Sequence, residues 1–131
     1  MKLLVIPYGT PYWSPKSPNV ADLIRNHSKN LRIAYLIPLW GLIGLQAIAH
    51  NTELLRAING MNDRDLERDT AISVRTWLKH KGQDYDKIVL INYGKSMNFW
   101  SKGAGGLPIM SKVQIIRWLP TSPTKVRERI K

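Results

Sequence analysis

The sequence contains no cysteine, which excludes disulfides, thiolate metal sites and a cysteine nucleophile. It also lacks the spacings of several well-known motifs: no HxxxH or HExxH pair, no GxSxG nucleophile turn and no GxxxxGK[ST] phosphate loop is present. Its three histidines, His27, His50 and His80, are far apart in the chain. We therefore expect no metal ion and no other cofactor, and no catalytic residue can be assigned from these patterns.

Acidic residues are scarce: nine Asp and Glu stand against 20 Lys and Arg, giving a formal net charge of +11. The excess is uneven, because residues 1–50 contribute +4, residues 51–90 contribute zero and residues 91–131 contribute +7. A one-sided positive field attracts polyanions, and nucleic acid is the commonest such partner because its neutralised phosphates release counterions. The alternatives are a small anionic ligand such as a nucleotide, or charge without a specific partner.

Long hydrophobic runs are also missing. The apolar run at residues 3–6 is too short for a signal peptide, and no small-residue cleavage site follows it. Residues 33–49 carry no charge, but Pro38, Gly41 and Gly44 interrupt them, so we expect a buried strand and a short buried helix rather than a membrane span. The absence of cysteine fits a reducing interior, and the cytoplasm is the expected location.

What is present is the pattern of one small α/β domain of 131 residues, 44% of them hydrophobic. Apolar runs predict about four strands in a mostly parallel sheet with helices packed on it. The domain is expected to span residues 1–119, followed by a basic C-terminal tail or short helix at 120–131. The predicted strands cover residues 2–6, 31–37, 87–92 and 112–119.

The clearest helix is predicted from Asp63 to Lys81, because acidic residues lie near its start, basic residues lie near its end and Gly82 follows. A second helix is expected after Asn19, which can cap it. Residues 7–18 contain four prolines and are expected to form a loop. Residues 93–111 are also expected to be loop, with a mobile glycine run at 103–106.

Three of the predicted loops should meet at the carboxyl edge of the sheet, where open α/β sheets bind ligands. They bring aromatic rings together with cations, a combination that suits stacked bases and nearby phosphates. The alternative is that these rings fill the core. The candidate pocket residues are Tyr8, Tyr12, Trp13, Lys16, Trp40, Gly41 and Tyr93.

A second candidate set comes from the basic C-terminal part of the chain. Its cations are expected to meet phosphates, while Trp100, Tyr12 and Trp13 are expected to stack on bases. This prediction depends on the cations gathering on one surface. The candidate nucleic-acid-binding residues are Lys95, Trp100, Lys102, Lys112, Arg117, Lys125, Arg127 and Arg129.

Three segments of the sequence follow the layout of a known family. The first is a loop that contains Ile6-Pro7-Tyr8 and Pro11-Tyr12-Trp13-Ser14. The second is a turn over Ile37 to Leu42, and the third is a helix and strand over Arg64 to Gly94. In this layout, over about residues 1–100, the chain resembles the YaaA-like proteins and the related catalytic domain of archaeosine synthase. The resemblance implies DNA binding in the first case and handling of a deazaguanine base in RNA in the second. The family cysteine is Tyr8 here and the synthase lysine is Thr10. Lys16 lies on the far side of the motif and is not an equivalent of that lysine, so the missing lysine puts the synthase catalysis in doubt.

The leading hypothesis from the sequence is therefore a nucleic-acid-binding α/β protein, with DNA and RNA both open as partners and no membrane association. One alternative is an enzyme acting on a nucleobase or nucleotide at the strand ends. Another is a structural or viral interaction protein that contacts a packaged genome.

Overall fold

One five-stranded sheet organises the protein, whose computed structural model describes residues 1–38, 41–45, 62–94 and 96–131. Helices pack on the sheet, which confirms the small, mostly parallel α/β fold. The chain also forms two short 3₁₀ turns, at Gly82–Asp84 and Pro108–Lys112. The elements are β1 (Lys2–Pro7), α1 (Pro18–His27), β2 (Leu31–Ile37), β3 (Gly41–Gly44), α2 (Asp63–Lys81), β4 (Lys87–Asn92), α3 (Ser96–Ala104), β5 (Val113–Arg117) and α4 (Ser122–Ile130).

The strand order is β3-β2-β1-β4-β5, and β1 pairs in parallel with both β2 and β4. The chain builds β2 and β3 on one side of β1 and then crosses to build β4 and β5 on the other side. The order therefore reverses between β1 and β4, and this is the position at which open α/β sheets bind ligands.

A hydrophobic core covers each face of the sheet. Alternate residues of β1 point to opposite faces, so that Leu3 and Val5 belong to one core while Leu4 and Ile6 belong to the other. All four side chains are fully buried, as expected for a central parallel strand. Helices α1 and α4 cover the Leu4 face, and α2 and α3 cover the Leu3 face.

The fifth strand, β3, corrects the sequence prediction, which placed a turn and a short helix there. Gly41 has a φ of +78° and begins β3, which pairs antiparallel with β2 so that Leu42 lies opposite Leu36. A β-carbon on Gly41 would lie 2.7 Å from Ser73 Cβ in α2, so only glycine fits at this close approach. The rest of the predicted helix, residues 46–49, lies outside the described residues.

Residues 93–111 are not a loop, because α3 and a 3₁₀ turn lie within them. The predicted glycine loop at 103–106 is wrong for Gly103 and Ala104, which belong to α3. A β-carbon on Gly103 would be 2.7 Å from the Val74 side chain, so this glycine allows α3 to pack closely on α2. Arg75 fixes the end of α3 by donating hydrogen bonds to the carbonyl oxygens of Gly103 (3.3 Å) and Gly105 (2.9 Å).

The C-terminal segment forms a helix that is part of the domain. Val126 and Ile130 are buried in the core that α1 also covers. Lys2 Nζ donates to the carbonyl oxygen of Ile130 at 2.8 Å, and Lys87 Nζ donates to that of Arg129 at 2.6 Å. Cations favour the negative end of a helix, so these two lysines act as a cap for α4.

Within the described ranges, no helix combines the length and the apolar character needed to cross a bilayer. The first part of the uncharged run at residues 33–49 belongs to β2 and β3 instead. Helix α1 begins after Ser17, whose hydroxyl accepts a hydrogen bond from Val20 N, and not after Asn19 as expected.

Tyr35 connects β2 to the loop after β1, and its replacement tests this connection. Its buried hydroxyl donates a 2.8 Å hydrogen bond to the Trp13 carbonyl oxygen. Burial, with a smaller contribution from Tyr8, raises the pKa of Tyr35 above its ordinary value. Tyr35→Phe should lower the free energy of unfolding by about 1–2 kcal/mol at pH 8, because the Trp13 carbonyl loses its partner.

Because the pKa of Tyr35 is raised, the loss of stability in Tyr35→Phe should depend on pH. The folded protein keeps the Tyr35 proton where the unfolded chain releases it, so the stabilisation is complete below about pH 10 and declines above it. The difference in unfolding free energy between the unmodified protein and Tyr35→Phe should shrink by about 1 kcal/mol between pH 8 and pH 11, measured by urea unfolding. Ile6→Val, which removes no titratable group, should keep a constant deficit. A constant gap for Tyr35→Phe would contradict the assignment.

Candidate functional site

The candidate site lies at the carboxyl edge of the sheet, where β1, β4 and β5 end at Pro7, Asn92 and Arg117. An aromatic residue follows each of these ends. Tyr8 follows β1, Tyr93 follows β4 and Trp118 follows β5. The strand order reverses between β1 and β4, and this is the position at which open α/β sheets bind ligands.

Trp118 contacts two of the neighbouring rings. The Tyr12 ring stacks with it at a centroid distance of 6.5 Å and an interplanar angle of 18°. The Tyr93 ring meets it edge-on at 5.5 Å and 71°. We call Tyr12, Tyr93 and Trp118 the edge cluster. Tyr8 lies at the adjacent strand end, edge-on to the buried Tyr35 ring at 6.3 Å.

The edge cluster is held in place by hydrogen bonds from several elements. Trp118 Nε1 donates to the Pro11 carbonyl oxygen at 3.3 Å, and its backbone N–H donates to that of Asn92 at 3.0 Å. Asn19 Nδ2, in α1, donates to the Tyr12 carbonyl oxygen at 3.0 Å. These hydrogen bonds connect the proline-rich loop after β1 to β4, β5 and α1, so the backbone that carries the rings is supported by several elements.

Tyr12 combines high exposure with a strained backbone. Its side chain is 59% exposed, and its φ is 68°, in the left-handed region that non-glycine residues rarely adopt. Such a conformation costs about 1–3 kcal/mol and is concentrated at functional positions. The Tyr12 ring is therefore held against Trp118 although most of it stays exposed to solvent.

The charge around the edge cluster is of one sign in the described segments. Residues 8–17, 93–94 and 117–121 include Lys16 and Arg117 and no acidic residue. Both side chains are exposed, and Arg117 lies opposite Asn92 in the register of β4 and β5. An anion near the exposed rings would therefore meet positive charge without repulsion from these segments.

Some predicted pocket residues meet at this edge, and others do not. Tyr8, Tyr12, Tyr93 and Lys16 are exposed there, whereas Trp40 lies outside the described residues. The prediction for Trp13 is wrong, because its ring is 1% exposed and packs in the core beneath α1 and α4. Gly41 is also buried, with α2 packed closely against it.

The predicted stacking role of Trp100 is wrong as well. Its side chain is fully buried in the core between the sheet and α2 and α3, so no base can reach its ring while the protein is folded. Trp118 takes the position that Trp13 and Trp100 were expected to fill. The sequence prediction overlooked it because the last strand was extended to residue 119, which made Trp118 a strand residue.

The predicted phosphate contacts do not form one surface. Lys125, Arg127 and Arg129 are exposed on α4, on one face of the sheet. Lys102 lies on α3, on the opposite face, and forms an ion pair with Glu67. Lys112 precedes β5 and Arg117 ends it, so these two lie at opposite edges of the sheet. Lys95 lies outside the described residues.

The described residues contain no group of three or more His, Asp or Glu that could hold a metal ion. The edge cluster can stack planar rings and its flanking cations can attract anions. Comparisons with protein-family models, curated proteins and solved structures found no match. The resemblance to YaaA-like proteins therefore stays a prediction.

The strain at Tyr12 can be separated from its contacts by two substitutions. Tyr12→Ala and Tyr12→Gly both remove the ring, but only glycine adopts a φ of 68° without steric conflict. We expect Tyr12→Gly to be more stable than Tyr12→Ala by about 1 kcal/mol in urea unfolding. If alanine is equally stable or more stable, the backbone of residue 12 is not strained in the folded protein.

Proposed function

We propose that the chain binds nucleic acid at the carboxyl edge of the sheet, with bases stacking on the edge cluster. The observation that carries this proposal is the contact of three aromatic rings, Tyr12, Tyr93 and Trp118, at the point where the strand order reverses. Stacking on aromatic side chains is the usual way in which proteins hold unpaired bases, and it tolerates any base sequence.

The edge cluster is expected to prefer single-stranded nucleic acid to a duplex. Bases in a duplex are stacked on each other and present only their edges in the grooves, whereas unpaired bases present the flat faces that an aromatic ring can cover. The edge cluster is built from flat rings, of which Tyr12 and Tyr93 are 59% and 37% exposed. It therefore suits unpaired DNA or RNA better than a helical groove.

Phosphates would meet cations on two sides of the cluster. Lys16 lies in the loop after β1 and Arg117 ends β5. Beyond them, α4 exposes Lys125, Arg127 and Arg129 with one acidic residue, Glu128, among them. These α4 cations would attract the polyanion from a longer range. Lys16 and Arg117 are closer to the rings of the edge cluster in sequence.

Binding is tested by fluorescence anisotropy with labelled single-stranded DNA and RNA and with a duplex of equal length. We expect the single strands to bind more tightly than the duplex. Tyr12→Ala and Tyr93→Ala should each weaken single-strand binding by about 5- to 100-fold, the range for loss of one base stack. Ile72→Ala removes an exposed apolar side chain of α2 and should leave binding unchanged.

The salt dependence separates a polymer from a free nucleotide. The logarithm of the association constant for a single strand should fall linearly with the logarithm of the salt concentration. Arg117→Gln or Lys16→Gln should reduce the magnitude of this slope by about 0.7 for each lost phosphate contact. Lys29→Gln, which removes an exposed charge before β2, is the matched control. A flat salt response, or an equal effect of Lys29→Gln, would contradict the proposal.

A further inference from the structure

A cavity of about 510 Å³ lies far from the edge cluster, beside the first half of β2. Strand β3 pairs only with residues 34–37 of β2, so Leu31 to Ile33 have no partner strand on that side among the described residues. The ends of α1 and α2 flank the opening. The lining residues are Ile24, Ser28, Leu31, Arg32, Ile33, Ala34, Gly44, Leu45, Trp77 and Lys81.

The cavity has the size and lining of a small-molecule site. Ligand pockets in proteins are about 300–1,000 Å³, mostly apolar, with a few polar groups that orient the ligand. Here the apolar side chains of β2 and α1 form one part of the wall, and the half-buried Trp77 indole forms another. A flat hydrophobic ring system could therefore lie against this wall and lose its contact with water.

The polar groups of the cavity favour an anion. Arg32 and Lys81 supply two positive charges, and no acidic residue is among the described residues that line the cavity. Neither cation forms an ion pair within the part of the chain that the structure describes. Because each charge is unneutralised by a carboxylate there, a negatively charged group could approach without displacing an existing pair.

Two stacked aromatic rings lie beside these cations. The Trp77 ring stacks on the buried Tyr85 ring at 5.9 Å with an interplanar angle of 9°. Lys81 Nζ lies 5.8 Å from the centroid of the Trp77 ring, within the range of a cation–π contact. Arg32 is close enough to Tyr85 that its charge offsets part of the rise that burial causes in the Tyr85 pKa. Both cations are thus positioned by the same aromatic pair.

We propose that this cavity binds a small planar aromatic anion, that is, a ring system bearing one carboxylate or phosphate group. The ring would lie against the apolar wall and Trp77, and the anionic group would meet Arg32 and Lys81. This site is independent of the edge cluster, from which it differs in position, in shape and in every lining residue.

The test uses two fluorescent probes that share a ring system. 8-Anilinonaphthalene-1-sulfonate carries one negative charge, and N-phenyl-1-naphthylamine has the same rings without it. We expect the charged probe to bind one site per chain and more tightly than the neutral one. Competition by 2-naphthoate and by 2-naphthyl phosphate then distinguishes a carboxylate ligand from a phosphate ligand.

Gly44 allows the cavity to be filled without damage to the fold. It lines the cavity, no atom of the described residues lies within 4 Å of the position of an added β-carbon, and its φ is not positive. Gly44→Leu should therefore fold with unchanged or higher melting temperature and bind the charged probe at least about tenfold more weakly. Thr124→Leu, which adds an exposed leucine to α4, is the matched control and should bind normally.

Charge removal provides the second part of the test. Arg32→Gln and Lys81→Gln should each weaken binding of the charged probe by about tenfold and leave binding of the neutral probe unchanged, because each substitution removes a charge-assisted hydrogen bond to the sulfonate. Arg64→Gln, at the other end of α2, is the control. Equal affinity for both probes, or unchanged binding in Gly44→Leu, would overturn the proposal. Loss of binding in Tyr12→Ala would also overturn it, because the probe would then occupy the edge cluster.

Discussion

The parallel pairing of β1 with β2 on one side and β4 on the other is the arrangement on which the rest of the structure depends. Residues Leu3 to Ile6 are fully buried and supply side chains to both cores, so every helix packs against a layer that β1 helps to form. The same pairing reverses the strand order and brings the loops after β1 and β4 together. Stability and the location of the candidate site therefore have one cause.

The elements that the sequence predicts well are those specified by local patterns. Helix α2 begins and ends as predicted, because Asn62 caps it through Asp65 N and its charges complement the helix dipole. Strand β4 is continuous and apolar, and its bounds also agree with the prediction. Strand β3 depends on a hairpin pairing with β2, and α3 depends on Gly103 fitting against Val74, so neither is visible in a local pattern.

The two neighbours Tyr12 and Trp13 illustrate why the candidate site was only partly predictable. Both are aromatic residues in a proline-rich loop without periodicity, yet one is 59% exposed and the other 1%. The left-handed φ of Tyr12 and the hydrogen bond from Tyr35 to the Trp13 carbonyl oxygen decide which ring faces the solvent. Both depend on tertiary contacts, so composition and spacing identify the loop but not its exposed ring.

Net charge is a property of the sequence, but a charged surface is a property of the fold. Lys2 and Lys87 cap α4, Lys102 pairs with Glu67, and the α4 cations lie across the sheet from Lys102. At physiological salt, charges act over about 8 Å, so cations on opposite faces of a sheet act on different ligands. What selects the ligand is then the local shape beside each group of cations. The proposed base-stacking site lies beside Arg117, whereas the proposed site for a small anion lies beside Arg32 and Lys81.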